Sequence, residues 1–175
     1  DLTVTGVQTC ALPICIITPL KDRFGSQIRT HYPLDVEVEM DIVEQEAKIP
    51  TVADLTVSIP DFMARVVSTI SQEARSSPHL NQRSGVSVRL SITNLEAVVA
   101  NAIRRALRSE ETVAVPRVSD LAAVAASMSG KVEVESLYDP PDAVFLHRIV
   151  SSSFLSVFRE QVPGGTHPPI VAPPR

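Results

Sequence analysis

Apolar residues return every three or four positions along most of this chain, and that spacing predicts helices. From Asp35 to Ala47, the residues Val36, Met40, Val43 and Ala47 share one face, while Glu37, Glu39, Asp41 and Glu44 are expected to point away from it. A second helix is predicted over Asp61–Arg75, behind Pro60, with Phe62, Val66, Ile70 and Ala74 in one stripe. The polar run from Ser76 to Gly85 must be loop. The clearest helix is predicted from about Thr93 to Arg108. Thr93 and Glu96 fit a capping box, and Leu95, Val98, Val99, Ala102, Ile103, Ala106 and Leu107 form its apolar face. Arg104, Arg105 and Arg108 crowd its last turns, where the helix dipole favours cations. Pro116 is expected to open another helix, with Leu121, Val124, Ala125 and Met128 aligned and Gly130 as its stop. The last helix is predicted over Asp142–Gln161, with Leu146, Ile149, Val150, Ser153, Phe154, Val157 and Phe158 inward.

Extended structure is predicted at two places only. Gln27–Tyr32 has the β-branched, aromatic and polar mix of a short strand closed by Pro33, and Lys131–Ser136 alternates valines with charged residues. The expected fold class is mainly α, a helical bundle behind one strand.

Composition narrows this picture modestly. The 175 residues are 44% hydrophobic, enough for one core of ordinary domain size. With five Phe, two Tyr and no Trp, the core must be built from Ala, Val and Leu, which suits packed helices better than a β-sandwich. The net charge of −4 is mild and mixed in sign, so it points to neither nucleic acid nor a membrane surface. No apolar run approaches the roughly 18–20 residues that span a bilayer. Cys10 and Cys15 are too few for a disulfide framework, and His31, His79, His147 and His167 are scattered, so no metal site is expected.

Residues 4–14, VTGVQTCALPI, lack helical or alternating periodicity and the charged start of a signal peptide. They resemble the translation of a common sequencing-library adapter in one reading frame. Residues 1–15 are therefore expected to be foreign to the natural protein, whose own N-terminal portion is expected to be missing. The tail over 163–175 is rich in Pro and Gly and is expected to be disordered.

The candidate chemistry lies in arginines. Arg23 sits in Lys21-Asp22-Arg23-Phe24-Gly25, and Arg83 and Arg89 flank Gly85 ahead of a predicted helix. Guanidinium suits phosphate because its planar donors pair bidentately and stay charged. Taken alone, each is more often a surface arginine without a task.

The segments ITPLKDRFGSQIRTHYP, NQRSGVSVRLSI, NAIRRAL and SGKVEVES, in that order over roughly residues 16–160, resemble the C-terminal half of magnesium-chelatase-type and MoxR-like AAA+ ATPases. The resemblance implies that 16–33 is the end of an α/β nucleotide-binding core and 34–162 a helical lid. It implies that Arg23 is an arginine finger acting on the neighbouring subunit's ATP, and that Arg89 is the sensor-2 arginine touching phosphate in cis. Arg83 competes for that role, because related chelatase lids place the arginine ahead of the glycine. ATP and Mg²⁺ would be the cofactors of the intact enzyme. Its partners would be further copies in a ring and a protein with a von Willebrand factor A-type domain, in the cytoplasm.

The departures are as telling. A phosphate-binding loop needs G-x-x-x-x-G-K-[ST], yet Gly130-Lys131 is followed by Val132 and has Ala125 in the first glycine's place. No apolar strand ends in an Asp-Glu pair. The chain by itself is thus expected neither to bind ATP tightly nor to hydrolyse it, with no cofactor of its own. The competing reading is a non-enzymatic helical interaction module whose arginines meet an acidic partner.

Overall fold

The computed structural model describes residues 23, 25, 26, 28, 31–80, 85–129, 131, 132 and 142–162, with the backbone alone at 142 and 143. The fold is mainly helical. In chain order its elements are α1 (Val36–Glu46), β1 (Thr56–Val57), α2 (Asp61–Ser76), α3 (Arg89–Arg108), β2 (Val113–Ala114), a 3₁₀ turn (Val118–Leu121), α4 (Ala122–Met128) and α5 (Asp142–Gln161). No helix among the described residues is long and apolar enough to cross a membrane.

Proline and charge set several boundaries. Pro60 stands at the N-cap of α2 with φ −67°, the value its ring imposes. Asp61 in the first turn and Arg75 in the last match the helix dipole. The stripe of α2 then buries Met63, Val66, Val67, Ile70 and Ala74. Ser68 and Ser71 are buried too, because α2 is enclosed by α1, α3 and α5. α4 bridges α3 and α5 on the other side. Phe62 of α2 meets Phe154 of α5 edge-on, 5.9 Å between ring centroids, and Phe154 in turn stacks on Phe158 at 6.1 Å. One continuous apolar core runs from Val43 to Val157.

Three expectations are corrected. Glu39 faces the core, fully buried, instead of solvent. The helix over Arg89–Arg108 starts a turn earlier than the Thr93–Glu96 pattern indicated. Ser87 Oγ accepts the Arg89 N–H at 3.2 Å, and Leu90 and Ser91 bury that extra turn. Thr93 therefore sits inside the helix and donates to Arg89 O at 2.7 Å, while Glu96 accepts the Lys48 N–H at 2.9 Å. Finally, the helix expected from Pro116 opens as a 3₁₀ turn, tightened by the Asp120 carboxylate accepting the Arg117 N–H at 2.8 Å.

A parallel pairing of β1 with β2, Thr56 opposite Val113 and Val57 opposite Ala114, had no sequence signal. Two residues are too short for alternation to register. Of the expected Gln27–Tyr32 strand, Ile28, His31 and Tyr32 have no strand structure, and residues 27, 29 and 30 lie outside the described residues. Gly130, residues 133–136 of the second expected strand, residues 1–22 and the 163–175 tail also lie outside them.

α3 ends in a Schellman motif: the Glu111 N–H reaches back to Ala106 O at 3.0 Å, and Glu110 takes the left-handed conformation at φ 54°. Glycine is the usual residue there, since a Cβ disfavours that backbone. Glu110→Gly is expected to stabilise the fold by about 0.5–1 kcal/mol, read as a higher urea midpoint at unchanged m-value.

Candidate functional site

The start of α3 is held by a buried polar node that gathers three helices. Arg75, near the end of α2, donates Nη1 to Glu39 Oε2 at 2.6 Å and Nη2 to Glu39 Oε1 at 2.7 Å. Glu39 of α1 is wholly buried and the Arg75 side chain 12% exposed, so the pair is nearly out of water. Ser91 of α3 donates its one hydroxyl proton to Glu39 Oε1 at 2.5 Å, which leaves Ser71 of α2, 2.6 Å away, to donate to Ser91. Arg75 Nε donates to Val86 O at 2.8 Å, and its guanidinium lies 5.0 Å from the centroid of the Tyr32 ring. That last contact is a cation–π pairing.

Around the node the approach to α3 has one permitted shape. Gly85 has φ +67°, and a Cβ there would lie 2.6 Å from the Tyr32 hydroxyl. The backbone angle demands glycine, and any Cβ would also push the exposed Tyr32 hydroxyl aside. Val86 then turns inward, Ser87 accepts the Arg89 N–H, and Arg89 emerges as the first residue of α3. Arg89 is exposed, and its side chain makes no ion pair or hydrogen bond among the described residues. A free guanidinium thus stands where the backbone N–H groups of a helix start also favour an anion.

The other two candidate arginines are less defined. Arg23 is exposed in a turn, without a side-chain partner among the described residues, and no contact joins it to Arg89. Arg83 lies outside the described residues. Nothing in the described geometry brings the three together, and no group of three or more His, Cys, Asp and Glu among the described residues could hold a metal ion.

Family models, curated proteins and solved structures offer no match to this chain.

The residues that hold the site, Glu39, Arg75, Tyr32 and Gly85, were not among the candidates read from sequence. One signal did exist. Glu39 is three residues after Val36 and four before Val43, so it interrupts an apolar stripe with a charge. Such an interruption on a helix that must pack calls for a buried cation, and Arg75 supplies it.

A second network closes the far end of α3. Arg105 Nη2 donates to Asp120 Oδ2 at 3.0 Å and to Val115 O at 2.7 Å, while Asn101 Nδ2 donates to Asp120 Oδ1 at 3.0 Å. Its hydrogen bond to Asp120 holds the Arg105 guanidinium above the usual arginine range, so it stays charged throughout the accessible pH range. Asp120 is 2% exposed and ties α3 to the 3₁₀ turn.

Proposed function

We propose that this chain is the helical lid part of a ring-forming AAA+ ATPase of the magnesium-chelatase or MoxR type, whose intact form couples ATP hydrolysis to remodelling a partner. The observation that carries the proposal is Arg89. The sequence segment that resembles a sensor-2 region places its arginine on the first residue of α3, exposed and without a partner among the described residues, on a backbone fixed by Gly85 and the Glu39–Arg75 pair. A guanidinium so held can meet a nucleotide phosphate with little further ordering.

In this reading Arg89 contacts the phosphates of the subunit that carries it, and Arg23 reaches the γ-phosphate of a neighbour in a homo-oligomeric ring. The nucleotide itself, with Mg²⁺, would be held by a core that includes a phosphate-binding loop. A partner bearing a von Willebrand factor A-type domain, and metal chelation as one end use, follow from the family resemblance alone.

Two measurements test the reading. In a polypeptide joining this lid to its nucleotide-binding core, Arg89→Ala is expected to cut turnover at least tenfold. Arg23→Ala is expected to cut it by about 10³–10⁵, the range known for arginine fingers, while leaving ATP binding largely intact. Full turnover in both variants would remove the proposal. The 175-residue chain alone is expected to give no Mg²⁺-dependent ATPase activity, and a clear rate would contradict the assignment of hydrolysis to a separate core.

A further inference from the structure

An apolar groove and a basic pocket meet at the 3₁₀ turn. The groove, about 500 Å³, runs between the 3₁₀ turn with α4 on one side and α5 on the other. Its walls are apolar: Val118, Ala122 and Ala125 face Val150, Phe154 and Leu155. Val118 is 50% and Leu155 47% exposed, so two large apolar side chains on opposite walls remain in water. The volume falls within the ~300–1,000 Å³ typical of binding pockets.

The basic pocket lies on the other flank of the same turn, and Ser119 lines both. It contains Arg104, Arg105 and Arg108 from the last turns of α3. Arg105 is neutralised by Asp120 and Glu111, at 3.0 Å and 3.5 Å. Arg104 and Arg108 are exposed one helical turn apart, and neither pairs with a carboxylate among the described residues. Arg104 donates only to the side chain of Asn101, and Arg108 has no side-chain partner. Like charges at that spacing repel. In a chain of net charge −4 they form a local cationic spot next to unfilled apolar surface.

We infer that this composite surface docks a peptide segment of a partner protein, one whose apolar side chains enter the groove while a carboxylate beside them reaches Arg104 and Arg108. The charge selects the occupant. A basic segment would meet two uncompensated guanidiniums, and a neutral one would leave them unpaired at a dry interface. The inference does not depend on the ATPase reading, because Arg89 and Arg23 take no part in it.

The test is selection of a random-peptide display library on the full 175-residue chain, followed by affinity measurement of the selected peptides. Enriched peptides are expected to combine two or more Leu, Ile, Val, Phe or Met with Asp or Glu. Arg104→Glu with Arg108→Glu, and separately Leu155→Asp, are each expected to weaken binding at least tenfold. All three positions are exposed, so circular dichroism should show an unchanged fold. Binding to the unaltered chain should also weaken as salt rises from 0.1 to 0.5 M, on the order of a Debye length shortened from 10 to below 5 Å. Peptides that are neutral or basic, that bind both variants as tightly as the unaltered chain, or that show no enrichment over an unrelated surface would overturn the proposal. Concentration-dependent self-association abolished by the same variants would put a second copy in the groove and would also overturn it.

Discussion

Arg75→Ala is expected to cost about 3–5 kcal/mol of folding stability, the range found when one member of a buried ion pair is removed. The size follows from what is left behind. Glu39 is fully buried and would keep only the Ser91 hydroxyl as a donor for its two oxygens, and Val86 O would lose the Arg75 Nε donor. Arg75→Lys should recover little. An ammonium cannot give two parallel bonds to the carboxylate and a third to Val86 O from the same position. Glu39→Gln should be milder than Arg75→Ala, because the amide still offers one oxygen to the guanidinium and the Arg75 Nε bond to Val86 O is kept. Urea denaturation with a common m-value measures all three. A loss below about 1 kcal/mol for Arg75→Ala would mean that the pair is open to solvent and does not anchor the start of α3. The same variant should loosen the backbone around Gly85, read as faster amide exchange from Val86 to Leu90.

Asp120→Ala is the second large effect, expected at about 2–3 kcal/mol. Asp120 accepts from the Arg105 guanidinium, the Asn101 amide and the Arg117 N–H, so one substitution removes two bonds between α3 and the 3₁₀ turn and one within the turn. Hydrogen bonds to a charged group contribute about 1.5–3 kcal/mol, and Arg105, 23% exposed, would recover part of its loss through water. Asp120→Asn should keep the shape and about half the stability, since the amide still accepts from one side. The comparison separates charge from geometry. Equal losses for Ala and Asn would assign the whole effect to the Arg105 ion pair.

Both predictions concern charges that local pattern reading treats as surface decoration. The helix over 142–161 was legible to its ends, and α2 to within one residue, because long apolar stripes at helical spacing need a core to cover them. The candidate site was legible only in part. Arg89 could be singled out from a family-like segment, yet its exposure and lack of a side-chain partner among the described residues are properties of the fold. Gly85 could be read only as a loop residue. That it must be glycine is decided by its left-handed backbone angle of φ +67°, which the folded chain imposes.

What the sequence determined by itself was the class of the fold, the number of long helices and most of their inward faces, though Leu107 and Phe158, expected inward, lie at the helix ends and are 54% and 40% exposed. Those follow from spacing along one chain, since burial of an apolar stripe is a property of the helix that carries it. It also determined the absence of a phosphate-binding loop motif, which is a matter of residues in order. Tertiary structure alone decided that Glu39 points inward, that α3 starts at Arg89, that Thr56–Val57 pairs with Val113–Ala114, and that an apolar groove and a cationic pocket share Ser119. Each of these is a meeting of residues far apart in sequence. A charge is placed inside or outside by whether a partner arrives to meet it, and here the partner's identity is written on another helix.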